Sequence, residues 1–504
     1  MSQISNDVKS NVLSDSAELY LKASTGAAWS FGGSICTAII NFIVLAILAR
    51  LLNPESFGLF ALAVVVIQFF SELSELGLLP GIIQTKQVTE EKLSSCFWLS
   101  MLARGGLAAA VYFAAPLIGF TLRSEKLGVV VSILGLALIF DGATTVPLAV
   151  LQRALRFKEI IIAEIIAAAV SGFTAVLFAY HGLGVFSLVL GFIIQRLLKC
   201  LLFILFAAYR PRFTLRFKEI KGILDFGAKV TGERIVNFFA QRADYLLIGR
   251  YIGAASLGYY SLSSEVSTTP QKRFSMVISR VTLPVYCKVR DENERLASAY
   301  LKVVGHVASV TFPLLLCCAA VAPELVRVVF GEKWLPAVPL LRILCILGCL
   351  KSVGSLVGSL LYAKGRADIG FKWSFVMLTG TVIGVLIGMQ WGIVGAAAGY
   401  SASFFILGPI IQAIALKLVE QGLLAYVRSL LPALFASTVA AGTSWIVDSI
   451  IMANNSDRAL LALFCALASG AVVYVLLYFI FNKKNILELL DVGKTIFRTV
   501  SARS

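Results

Sequence analysis

Charge is scarce in this sequence: Asp, Glu, Lys and Arg together make up 14% of its 504 residues, against 59% hydrophobic. So few polar groups cannot cover a water-soluble globule of this length, which excludes a soluble fold. Histidine occurs twice, and the nine cysteines form no CxxC pair and no Cys/His cluster, so neither a zinc site nor a disulfide framework is expected. The cysteines read as small apolar packing residues, and no metal or cofactor is implied. There is no GxxxxGK[ST] phosphate loop, so this chain is not expected to hydrolyse ATP. No loop between apolar runs exceeds about twenty residues, leaving little room for a soluble catalytic domain. Nothing in the sequence marks a catalytic residue.

What is present is one apolar run after another, each near the roughly 20 residues that a helix needs to cross hydrocarbon. The expectation is an all-α polytopic membrane protein of about fourteen transmembrane helices, centred roughly on residues 38, 68, 107, 138, 170, 195, 237, 270, 310, 350, 380, 404, 439 and 470. The first run follows more than twenty mixed polar residues and precedes no small-residue cleavage site, so it is expected to be a retained span. No lipidation motif is expected to anchor the chain.

The net charge of +16 is unevenly placed. Counting loops alternately from an N-terminus inside, about 25 Lys and Arg fall on the inner side and about 7 on the outer. Arg153, Arg156, Lys158, Arg210, Arg212, Arg216, Lys288, Arg290, Arg295, Lys364 and Arg366 belong to the inner set. Both termini are therefore expected in the cytoplasm, and the basic excess orients the chain and contacts anionic membrane lipids at about 1 kcal/mol per group rather than binding nucleic acid.

The sequence also repeats itself. ARLLNPESFGLFALA (49–63) aligns without a gap on GRYIGAASLGYYSLS (249–263), placing Arg50 on Arg250, Ser56 on Ser256 and Gly58 on Gly258. LQRALR, ending at Arg156, and LYAKGR, ending at Arg366, match at a similar shift, as do HGLG at 181 and WGIV at 391. A period of about 200 residues spans six helices, an even number, so the two halves enter the membrane in one orientation about an axis along its normal. The expected organisation is a cytoplasmic segment 1–23, an N-lobe 24–210, a basic linker 211–222, a C-lobe 223–418, an added hairpin 427–482 and an amphipathic basic tail 483–504. LRFKEI, at 155 and again at 215, has the spacing of a short interfacial helix. Gly380, Gly384, Gly388 and Gly392 form a small-xxx-small face for close helix packing.

The seventh run, GAKVTGERIVNFFAQRADYLLIGR (227–250), carries Lys229, Glu233, Arg234, Arg242 and Asp244. On a helix Arg234, Asn237, Gln241 and Asp244 share one stripe about 80 degrees wide. A mid-bilayer charge costs at least about 2.5 kcal/mol, so that stripe must face protein or a watery cavity. The first run carries Ser34, Thr37 and Asn41 at the equivalent repeat positions, so two polar stripes are expected to line one central cavity, neutral on one wall and charged on the other. Gln68, Ser71, Glu72 and Glu75 share a face of the second run; Glu265, Thr268, Lys272 and Ser275 share one in the eighth. Arg104, Arg196, Lys199 and Lys351 lie deep in other runs. Arg234, Asn237, Gln241, Lys272, Arg104, Arg196, Lys351, Ser34, Thr37 and Asn41 are the expected substrate-binding set, with Asp244, Glu265 and Glu72 as candidates for a coupling cation or proton. The competing reading is structural: intramembrane Arg and Asp also pair to hold helices together, and charges near span ends snorkel. Pro270, beside Lys272 and Arg273, is a candidate bend next to the cavity.

Two repeated lobes around a polar cavity describe an alternating-access transporter. ARLLNPESFGLFALA at 49, SRVTLPVYCKVRDENERL at 279, VFGEKWLPAVPLLRIL at 329 and SLLYAKGRADIGFKW at 359 resemble the Wzx-type polysaccharide flippases of the multidrug/oligosaccharidyl-lipid/polysaccharide transporter superfamily, most closely its colanic-acid and exopolysaccharide branch. That resemblance implies two six-helix lobes, two extra helices, a bacterial inner membrane, and undecaprenyl-diphosphate-linked oligosaccharide turned from the inner to the outer leaflet. Polysaccharide polymerase and export machinery would be the accompanying partners. A drug or small-cation exporter of the same superfamily remains an alternative, as does a membrane glycan polymerase; the former favours an acidic cavity and the latter needs long outer loops.

Overall fold

A computed structural model describes residues 29, 32–75, 77–85, 89–454 and 458–501; the side chains of 84, 217–231, 233, 273–281, 283, 284, 454 and 481–501 fall outside that description. The expectations for the segment 1–23, for Lys229, Glu233, Arg273 and Ser275, and for the amphipathic face of the tail lie outside the described residues. Among the described residues every regular element is a helix.

The helices follow the apolar runs. The first half of the chain contains α1 (Gly32–Leu51), α2 (Pro54–Ser74), the short α3 (Leu78–Gln84), α4 (Glu90–Thr121), α5 (Glu125–Leu134), α6 (Leu136–Arg153), α7 (Phe157–Tyr180) and α8 (Val185–Ala207). The second contains α9 (Phe217–Tyr251), α10 (Ala254–Lys288), α11 (Asn293–Ala320), α12 (Ala322–Leu325), α13 (Val338–Gly354), α14 (Val357–Ala363), α15 (Ala367–Gly388) and α16 (Gly392–Lys417). The hairpin α17 (Leu423–Asn454) and α18 (Ala459–Ser501) follows, with α17 lying along α11 and α18. Eleven stretches among the described residues are long and apolar enough to cross a membrane, one of them a 51-residue stretch containing both α15 and α16. α9 and α10, the expected seventh and eighth spans, are not among the eleven, though each is 35 residues long.

Loops alternate between two ends, one of which gathers Arg153, Arg156, Arg210, Arg212, Arg216, Lys288, Arg290, Lys364 and Arg366 and is called the basic end below. There, the link between halves is neither loose nor helical. Ser94 and Ser95 of α4 accept the backbone N–H groups of Arg212 and Arg216 at 3.1 and 3.0 Å, and the Trp98 indole donates to Arg212 O at 2.9 Å. Arg212 and Arg216 pair with Glu90 and Glu91 at 2.8 and 2.6 Å. The interfacial helix expected of LRFKEI does not form. Leu155 turns at φ 55°, and the motif's Phe157 and Phe217 open the long helices α7 and α9 instead, so each copy marks a helix start. α10 runs through Pro270 as one helix. Of the expected glycine face, Gly384 and Gly388 of α15 abut Gly399 and Gly395 of α16, and Ser403 bonds Gly380 O at 2.7 Å, but Gly392 serves the turn between them at φ 73°.

The repeat is visible where the halves touch. A Cβ on Gly58 of α2 would collide with the Ala254 carbonyl of α10, and a Cβ on Gly258 would collide with the Pro54 carbonyl. These four positions are two repeat-equivalent pairs, and each helix offers its glycine to the other's first residue. Such reciprocity is what a twofold relation between two helices produces. Beside it, Trp334 is fully buried, donates to Ala49 O at 2.7 Å, and meets the Phe57 and Tyr259 rings edge-on at 5.1 and 5.8 Å. At the end opposite the basic loops the halves are therefore joined by buried aromatic packing, together with hydrogen bonds from the Arg50 guanidinium to the Val328 and Val329 carbonyls and from Lys333 Nζ to Arg50 O. Gly58→Val and Gly258→Val are each expected to lower the thermal midpoint in detergent, through overpacking of about 1–3 kcal/mol. Gly442→Val, where nothing lies within 4 Å of the added Cβ, is expected to leave it unchanged; equal midpoints for all three would contradict this contact.

Candidate functional site

Towards the basic end the halves are joined by charge. Arg234 of α9 reaches across to α2, where its guanidinium pairs with Glu75 and lies 3.9 Å from Glu72. α9 presents this arginine because the stripe 234, 237, 241 turns to one side, and Phe238 and Phe239 beside it pack on Phe69 of α2 at 5.8 and 5.3 Å. Asn237 and Gln241 continue the stripe as exposed amides, with Gln241 Nε2 donating to Asn237 Oδ1 at 3.0 Å. Arg234 thus faces carboxylates of α2 rather than a neutral stripe.

The equivalent stripe on α1 is divided. Asn41 is exposed and Ser34 half-buried, while Thr37 is buried and bonds its own helix at Gly33 O, 2.8 Å away. Gly33, one turn from Thr37, sits so close to Ile161 of α7 that a Cβ would clash. That face of α1 packs inside its own half.

Behind the seam, α4, α6 and α8 enclose a second ionic group. Arg196 pairs with Asp141 at 3.1 Å and covers the Phe192 ring at 4.9 Å. Arg104 is buried, with its Nε lacking a hydrogen-bond partner, and lies within electrostatic reach of Asp141, Arg196 and Glu72. Gly142 makes room for it, since a Cβ there would come 3.4 Å from Arg104 Cβ. Arg104, Arg196 and Arg234 with Asp141, Glu72 and Glu75 form a charge-balanced series leading from the interior of the first half to α9.

The second half holds a third group. Lys351 of α13 donates to the Tyr400 hydroxyl at 2.6 Å and lies over the Tyr400 and Phe404 rings at 4.7 and 4.6 Å. Asp244 is buried, accepts from the Tyr260 hydroxyl at 2.5 Å and keeps its other oxygen without a partner. Asp244 lies within electrostatic reach of Lys351 and Arg242, and Lys351 also within reach of Arg242 and Lys272. Lys272 approaches Glu265 at 3.7 Å, and Thr269 donates to the same carboxylate at 3.2 Å, both carboxylate and ammonium being exposed. Among the described residues no three His, Cys, Asp or Glu gather as a metal site.

Asp141, Tyr260 and Tyr400 lie outside the set expected from the sequence, and Glu75 stands on the expected polar face of α2 without an expected role. A carboxylate in the middle of the apolar run 136–153 was a usable signal for Asp141, by the reasoning applied to Arg196. The tyrosines gave none, because a hydroxyl at the end of a large apolar ring is common in membrane helices.

The profile of a family described as polysaccharide biosynthesis protein matches residues 47–339, more than half of the chain. The chain belongs to that family. Its relatives include the lipopolysaccharide biosynthesis protein WzxC of Escherichia coli K12, 31% identical over 75% of this chain and 78% of that protein. The teichuronic acid biosynthesis protein TuaB of Bacillus subtilis is 30% identical over 90% and 94%, and the succinoglycan biosynthesis transport protein ExoT of Rhizobium meliloti 23% over 92% and 94%. In fold the chain is similar to the lipid II flippase MurJ in an inward closed conformation, with a TM-score of 0.74 at 15% identity over 92% of this chain and 99% of that one. It is also similar to an inward-facing multidrug MATE transporter, with a TM-score of 0.61 at 13% identity over 78% and 98%. The all-α polytopic expectation is met by this transporter fold.

Two outcomes follow from the ionic geometry. A double-mutant cycle on thermal stability with Arg234→Ala and Glu75→Ala is expected to give a coupling of about 1–3 kcal/mol, and additive losses would contradict a direct pair. Asp141→Asn, which leaves Arg196 without its carboxylate, is expected to destabilise by about 1–3 kcal/mol, more than Glu265→Gln at an exposed site; equal losses would count against the interior group.

Proposed function

We propose that the protein is an alternating-access flippase that turns undecaprenyl-diphosphate-linked oligosaccharide repeat units from the inner to the outer leaflet of a bacterial inner membrane, for polysaccharide synthesis. The observation that carries this reading is the cross-lobe seam, where Arg234 is held by two carboxylates of the opposite half beside the exposed amides of Asn237 and Gln241. A diphosphate is the natural competitor for such a guanidinium, since it offers several charge-assisted hydrogen bonds in a low-dielectric setting. Asn237, Gln241, Asn41 and Ser34 suit sugar hydroxyls. Lys272 and Lys351 supply further positive charge on the second half, and Arg104 and Arg196 hold the electrostatic balance behind the seam. Membership of a polysaccharide biosynthesis family and relatives named for polysaccharide biosynthesis and transport support this cargo, and the fold shared with a lipid II flippase supports the mechanism.

In this reading fourteen helices span the membrane, both termini are cytoplasmic and the basic end faces the cytoplasm. The lobes are 24–210 and 223–418, joined by the linker 211–222, with the hairpin 427–482 added and polymerase and export machinery receiving the product. The membrane potential contributes about 2.3 kcal/mol per charge per 100 mV, so a roughly dianionic head moving outward gains up to about 4–5 kcal/mol, less the positive charge that moves with it. Asp244, Glu265 and Glu72 are the groups that would take a coupling cation or proton.

An exporter of cationic drugs would need uncompensated carboxylates at the seam, whereas Glu72 and Glu75 face Arg234. A polymerase would need an open outer loop, whereas the longest candidate, 322–339, is folded and buries Trp334 and Phe330 completely. The test is flipping of a diphosphate-linked oligosaccharide in reconstituted vesicles. Outward flipping is expected to accelerate under an inside-negative potential and to fall at least tenfold in Arg234→Gln. Equal rates at zero potential and at either sign would remove the potential-assisted mechanism, and an absence of flipping at any potential would remove the function.

A further inference from the structure

A cavity of about 420 Å³ lies well away from the cross-lobe seam, between α11 and α17 where the added hairpin docks on the second half. The two helices approach closely at Gly305, where an added Cβ would come 3.4 Å from the Ser429 carbonyl. Both α11, from Asn293, and α17, from Leu423, begin at the basic end, and the cavity is lined from their first turns up to this approach. It is therefore a wedge near the boundary between headgroups and hydrocarbon on that side. Its polar lining is Lys302 and Arg428, the neutral Ser298, Gln421 and Ser429, and a single carboxylate, Glu294. The exposed face of α17 beside it is apolar, with Leu424, Val427 and Leu431 open to the surroundings.

We propose that this wedge binds the headgroup of a glycerophospholipid, with the phosphodiester between Lys302 and Arg428, a hydroxyl or ammonium donor of the headgroup at Glu294, and the acyl chains along Leu424, Val427 and Leu431. Lys302 and Arg428 with Glu294 leave the partly enclosed lining with one net positive charge, which a phosphodiester neutralises, and basic pockets between helices on the cytoplasmic side are where lipid headgroups gather. Glu294 disfavours a bare multiply charged anion and favours a headgroup that carries its own donor. Phosphatidylglycerol and phosphatidylethanolamine have such donors, and phosphatidylcholine has none. The lipid would hold the hairpin against α11 and is distinct from the cargo, whose proposed contacts come from α1, α2, α9, α10 and α13.

The test uses the full-length protein in detergent, with its thermal midpoint measured after adding phosphatidylglycerol, phosphatidylethanolamine, phosphatidylcholine or inorganic phosphate at equal concentration. The first two are expected to raise the midpoint by about 2–4 °C, and the others to leave it in place. Lys302→Gln with Arg428→Gln is expected to abolish the rise. So is Ser298→Trp, which fills the wedge while leaving both cations, and which decides the matter if the double variant does not fold. Arg212→Gln, at the basic end but on the linker, is expected to keep it. An equal rise with phosphatidylcholine, a rise with inorganic phosphate alone, or a full rise in Ser298→Trp would each overturn the proposal.

Discussion

Arg234 finds its carboxylate partners, Glu75 and Glu72, in the other half of the chain. Removing either partner leaves a half-buried charge without its counter-ion, which makes the lobe interface at this level an ionic contact. The same pairing of charges recurs behind it. Asp141 balances Arg196, and Glu72 lies within electrostatic reach of both Arg104 and Arg234.

The two ends of the lobe interface differ in what dominates each, although aromatic rings and charged side chains meet at both. Opposite the basic loops, the reciprocal glycine contact of α2 with α10 and the buried Trp334 form a close-packed joint, with Arg50 and Lys333 adding hydrogen bonds to backbone carbonyls of the other half. Towards the basic end the joint is ionic, and an ionic joint yields to a competing ion. In the proposed cycle the incoming diphosphate takes Arg234 from Glu72 and Glu75, and the cation that held the lobes together becomes the cation that holds the cargo. Differential affinity of this kind is what a ligand needs in order to shift a conformational equilibrium.

Much of this was legible in the amino-acid order. The gapless match of residues 49–63 with 249–263 foretold the halves, and the structure shows its physical basis in Gly58 and Gly258, which only a Cβ-free residue can fill. The stripe on α9 was legible because a 3.6-residue period and the cost of a membrane charge together dictate where Arg234 can point. What pairs with it was not, since choosing Glu75 over other carboxylates requires the register of α2 against α9, which no local pattern encodes. Thr37 had the right spacing but the wrong surroundings, because Gly33 draws that face of α1 onto α7. LRFKEI misled for a related reason: an amphipathic hexapeptide next to a long apolar run extends that helix when the chain just before it turns or is pinned elsewhere, as Leu155 and the α4-bound linker do here.

The central claim is that the Arg234 pair latches the basic end and is exchanged for the cargo's diphosphate. It is tested most directly by the distance across that end, between spin labels at Ile83 of α3 and Phe371 of α15, both exposed, in membrane-reconstituted protein. Adding a diphosphate-linked oligosaccharide, or substituting Glu75→Gln, is expected to shift the distance distribution towards longer separations. A distribution unmoved by either would contradict the account.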